Sequence, residues 1–81
     1  MKITYPVIIS NPNNDEHYFV ATCPIFPDLK IERTTMSDAT FWVADAIAEK
    51  LEGAKEYPEA QDPETWDLGD NDQVIYLTIE I

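Results

Sequence analysis

Cysteine is almost missing from this 81-residue chain: Cys23 stands alone, so no intrachain disulfide and no cluster of thiolate metal ligands can form. A lone cysteine in a strand-like run is expected to pack as a small hydrophobe. Glycine occurs only at Gly53 and Gly69, which excludes a glycine-rich phosphate loop. There is one histidine, His17, beside a polar turn, and no partner that would position it for acid–base work. Positive charge is also scarce. Five Lys and Arg stand against 16 Asp and Glu, for a net charge of −11. Such a chain repels phosphates and anionic membrane surfaces and attracts basic partners. With no basic patch to displace counterions, direct nucleic-acid binding is excluded as a main function. No apolar run nears membrane-spanning length, and Met1-Lys2-Ile3-Thr4-Tyr5 lacks signal-peptide architecture, so a cytoplasmic location is expected.

What is present suffices for one core. Hydrophobic residues make up 44% of the chain, which at this length predicts a single domain over 1–81. Lys2 to Ser10 reads as a strand, apolar on both faces and therefore central, with Pro6 requiring a bulge or a missing ladder bond. Asn11 to Glu16 is a polar turn, and His17 to Thr22 a second strand completing a hairpin. Pro24 and Pro27 interrupt pairing, and Lys30 to Thr34 is a short third strand. Thr35 with Asp38 forms the start signal of a helix from Met36 to about Glu52, with Gly53 as its stop. Met36, Ala39, Val43, Ala46, Ile47 and Leu51 supply its apolar stripe; of Phe41 and Trp42, one must lie off it. Glu56 to Asp72 holds seven acids, no Lys or Arg, two prolines and Trp66, and reads as a loop. Gln73 to Ile81 is a last strand of alternating pattern.

The stretch Val20 to Ala39 carries a resemblance. Its strand, Pro24-x-x-Pro27 turn, short strand and Thr35-x-x-Asp38-Ala39 helix start resemble, without a gap, the HicB antitoxin domain. Tyr5-Pro6 in the first strand and the proline-containing run Tyr57-Pro58-Glu59 and Asp62-Pro63 are similar to the family too. The chain departs from the pattern in Ile25-Phe26 between the prolines, where the family has Asp-Leu, and in Arg33-Thr34, where it has Gly-Asp.

The order strand, strand, strand, helix, strand predicts an α+β fold. Short turns make the first three strands an antiparallel meander, and a right-handed helical crossover would return the last strand parallel to the first. A mixed four-stranded sheet of order 3-2-1-4 follows, with one helix on one face; the resemblance implies a partial ribonuclease H-like fold. One helix leaves one sheet face open. Because the strands are apolar on both sides, that face is expected to be covered by association, as a homodimer.

Ribonuclease H chemistry needs converging carboxylates, one from the first strand, and Lys2 to Ser10 has none. No catalytic residue, metal or cofactor is assigned, and the chain is read as non-enzymatic. The resemblance implies an antitoxin that binds a HicA-type toxin, a small basic ribonuclease, and covers its RNA-binding surface and catalytic histidine. Contact residues are expected around the proline turn (Phe26, Asp28) and after the helix (Glu59, Asp62, Trp66). The family's C-terminal DNA-binding domain has no counterpart after Val74–Ile81, so operator binding is not carried over. The alternatives are an orphan, phage-derived interaction or regulatory module, including a nucleic-acid mimic, and a small-molecule binding domain using Trp42, Trp66 and the open sheet face.

Overall fold

The computed structural model describes residues 2–59 and 62–80. Strand β1 (Lys2–Ser10) has the bounds its β-branched and aromatic residues suggest. The turn after it places Asn13 and Asn14 at φ of 58° and 56°, the left-handed region that asparagine tolerates. The Asn11 amide donates to the carbonyls of Asp15 and Tyr18, and the Asp15 carboxylate accepts the His17 backbone N–H. These bonds draw residues 17 and 18 into the turn, so β2 (Phe19–Cys23) begins two residues later than expected.

Strand β3 (Phe26–Arg33) starts earlier than the expected Lys30. Cys23 pairs with Phe26, yet its neighbour Thr22 pairs with Lys30, so the ladder shifts register there. Pro27, which has no N–H to give a ladder, falls inside the resulting irregularity. Pairing lapses near the prolines as their chemistry requires, without ending the strand. Pro6 is accommodated in a related way: pairing of β1 with β2 stops at Ile8 and does not reach it.

Helix α1 (Met36–Leu51) opens on Thr35, whose Oγ1 accepts the Asp38 N–H at 3.1 Å. It closes at Glu52, after which Gly53 takes φ of +77°, a conformation glycine reaches without a Cβ clash. Ala39, Val43, Ile47 and Leu51 repeat every four residues and are buried. They pack on Tyr5, Val7 and Ile9 of β1, Ala21 and Cys23 of β2 and Leu29 of β3, with Ile79 of β4 (Asp72–Glu80) completing the core. Cys23 is a core hydrophobe, its thiol against the Pro6 carbonyl at 3.7 Å and its pKa pushed up by burial.

The sheet has the expected order, β3-β2-β1-β4, with the helix on one face. The direction of the last strand is a correction: β4 runs antiparallel to β1 from Lys2↔Glu80 to Ser10↔Asp72, so every pairing is antiparallel and the sheet is not mixed. The cause lies in the connection. α1 descends from the end of β3, and a short return would bring the chain in beside Lys2, parallel to β1. Residues 52–71 are long enough to travel back along a strand of roughly 30 Å. They re-enter beside Ser10, where the Asn11 N–H meets the Asn71 carbonyl at 3.0 Å. On the way, the Tyr5 hydroxyl donates to the Pro58 carbonyl at 2.7 Å, which holds the segment against the helix side of the sheet. Ile81, assigned from the sequence to the last strand, and Ala60 and Gln61 of the acidic segment lie outside the described residues.

Candidate functional site

The outer surface of α1 follows from its inner one. With Val43 facing the sheet, Phe41 is turned about 200° away and Trp42 about 100°, at 3.6 residues per turn. Phe41 is accordingly 63% exposed and Trp42 42%. The two rings meet edge to face, centroids 5.3 Å apart, and the Arg33 guanidinium at the end of β3 lies 5.2 Å from the Trp42 centroid. Asp38, Asp45, Glu49 and Glu52 are exposed at helical spacings around this pair. An aromatic knob in an acidic field is the outcome. The ring pair contributes about 0.5–1.5 kcal/mol and the cation–π contact about 0.5–1. Burying two such rings would add about 1.5–3 kcal/mol each, so this surface still gains by meeting a partner.

The five residues expected at the contact surface are distributed as follows. Phe26 is half-buried, its ring edge-on to Tyr5 at 5.9 Å, so it belongs to the rim of the core. Asp28 is exposed and pairs with Lys50 of α1 at 2.5 Å; the bond from Lys50 holds its carboxyl below the ordinary value. Glu59 is exposed and follows Pro58, whose carbonyl receives the Tyr5 hydroxyl. Tyr5 therefore links the neighbourhood of Phe26 to that of Glu59. Asp62 caps the single 3-10 turn Pro63–Thr65 by accepting the Glu64 N–H at 3.0 Å, and Trp66 is half-buried at its end.

Phe41, Trp42 and Arg33 were not among those five. The signal was available: the stripe through Ala39 and Val43 forces one adjacent aromatic outward, and Arg33 ends a strand beside the helix start. That both rings stay outside depends on the sheet edge, which the helix pattern does not describe.

Other groups offer no chemistry of their own. His17 is exposed in the turn, and the Ser10 hydroxyl donates to Asp72 at 2.6 Å. That bond, then one from the Gly69 N–H, lowers the Asp72 pKa. A shallow depression beside it is lined by Asn11, Asn14, Asp70, Asn71, Asp72 and Gln73, polar throughout and without an aromatic ring. Among the described residues no three His, Cys, Asp or Glu side chains are grouped to hold a metal ion, and no helix is long and apolar enough to cross a membrane.

No family model matches the sequence, and no curated protein does. Among solved structures, the fold is similar to that of a chain in a toxin–antitoxin complex from Streptococcus pneumoniae, with a TM-score of 0.71 and 18% identity, over 99% of this chain and 70% of that one.

Proposed function

We propose that the chain is an antitoxin of the HicB kind, a non-enzymatic cytoplasmic protein that binds and neutralises a small basic ribonuclease toxin of the HicA type. The observation that carries this reading is the fold likeness to a chain of a toxin–antitoxin complex over 99% of the length. The resemblance of Val20–Ala39 to the HicB pattern points the same way, from different data.

The acidic ridge of α1 suits the task. A net charge of −11 steers a basic partner in and competes with RNA for its groove. Phe41 and Trp42, projecting from that ridge, supply apolar area that lowers the rate of leaving. Glu59, Asp62 and Trp66 extend the contact along the connection after the helix, and Phe26 and Asp28 stand at its other border.

Co-expression tests the reading. A neighbouring frame encoding a small basic protein should arrest growth alone, and this chain should relieve the arrest and co-purify with the product. If arrest persists in the presence of soluble chain, the antitoxin reading fails and the acidic ridge serves some other basic protein.

A further inference from the structure

We infer that the sheet face opposite α1 is a docking surface for a second copy of this chain. Register places Pro6 beside Tyr76, Ile8 beside Val74 and Thr4 beside Thr78 on that face. Ile8 and Val74 are only half-buried, Tyr76 is 62% exposed, and the Thr4 and Thr78 hydroxyls bond each other at 3.0 Å instead of reaching outward. A central band of apolar and self-satisfied side chains faces solvent with no element of this chain over it.

Charge decides what covers it. The face carries Lys2 and Lys30 against Glu32, Asp72 and Glu80, one net negative charge out of −11. Those charges are also largely answered in place: Lys30 pairs with Glu32 at 3.4 Å, and Asp72 accepts from Ser10 and Gly69. A basic partner finds almost nothing to attract it here, whereas a like-charged copy meets almost no repulsion. The acids of the helix ridge lie a further layer away, about 10 Å beyond the sheet, outside a Debye length of about 8 Å at physiological salt.

Size sets the strength. Four strands spaced about 4.8 Å and about 30 Å long present on the order of 500 Å² of projected face, below the ~800 Å² per partner of a standard interface. The dimer therefore belongs in the micromolar class. This inference does not rest on the antitoxin reading.

Sedimentation of the chain alone tests it. Between about 5 and 200 µM the weight-average mass should rise from monomer toward dimer. The dissociation constant should change by less than about threefold from 0.05 to 0.5 M salt, because apolar burial and not ion pairing holds the copies together. Tyr76→Glu should raise it roughly tenfold or more, and Thr78→Glu, at an equally exposed position, should do the same with the melting temperature unchanged. A chain that is monomeric at the highest concentration overturns the inference, as does a dimer indifferent to both variants. Loss of basic-partner binding in Tyr76→Glu, with the chain monomeric throughout, would assign the face to that partner and overturn it too.

Discussion

Replacing Phe41 by alanine separates a binding role from a packing role. The side chain is 63% exposed and touches Trp42 edge to face, so the folded state loses about 0.5–1.5 kcal/mol of ring contact. Alanine returns roughly 0.5 kcal/mol of helix propensity. The net change lies within about 1 kcal/mol, a shift of at most about 8 °C in Tm for a domain of this size. Binding responds on another scale. An aromatic at the centre of an interface is worth about 2 kcal/mol or more, or about 30-fold in Kd. Thermal unfolding of Phe41→Ala, set beside calorimetric titration with the cognate basic protein, measures both. A weakening of 30-fold with the Tm nearly unchanged is the expected pair of results. A variant that binds within about threefold of the parent refutes the assignment of the helix ridge. One that melts as a core mutant refutes the packing on which that assignment rests.

Trp42→Ala should cost more stability than Phe41→Ala, because it removes the Arg33 contact and a partly buried ring; equal melting temperatures would contradict this. Ile47→Ala opens a cavity at a fully buried position and should lower stability by about 2–5 kcal/mol in denaturant titration. Thr35→Ala removes the acceptor for the Asp38 N–H and should lose about 1 kcal/mol, visible as a reduced denaturation midpoint at constant slope. The Asp72 carboxyl has its folded pKa depressed, first by the Ser10 hydroxyl, from an ordinary 3.8. Its contribution to stability is therefore complete above that value and lost as pH falls through the lower folded value. In Ser10→Ala an NMR titration should move the Asp72 midpoint upward; no movement would mean that the hydroxyl bond contributes nothing in solution.

The parts of the fold readable from sequence are those set by local chemistry. The stripe Ala39, Val43, Ile47, Leu51 gives the helix, the Thr35 cap and Gly53 give its ends, and the asparagines give the first turn. The bounds of β2 and β3 were less legible, because residues 17 and 18 are claimed by side-chain bonds in the turn and a register shift lets β3 run through Pro27. Of the surface residues chosen from sequence, Asp28 and Asp62 are held by local bonds and Phe26 by the core rim, none of which composition or spacing reveals. The direction of β4 was beyond local reasoning altogether. It depends on the path of residues 52–71, and that path is fixed by contacts between residues far apart, Tyr5 with Pro58 and Asn11 with Asn71.

That one tertiary choice bears on function through charge. Residues 52–71 hold seven acids and one lysine. Were β4 parallel to β1, a short return would suffice, and the acidic stretch would be free to loop out at either end of the sheet. Instead the Tyr5 hydroxyl holds the chain at Pro58 on the helix side, beside the half of the molecule that already carries Asp38, Asp45 and Glu49. The strand this route delivers brings to the open face Val74, Tyr76 and Thr78, with a single acid at each end, Asp72 and Glu80. Negative charge thus gathers with the exposed aromatics of α1, and the opposite face is left nearly neutral and apolar. A basic protein and a second copy of the chain are then drawn to different surfaces by different forces. Raising the salt concentration should weaken the first association while leaving the second almost unchanged.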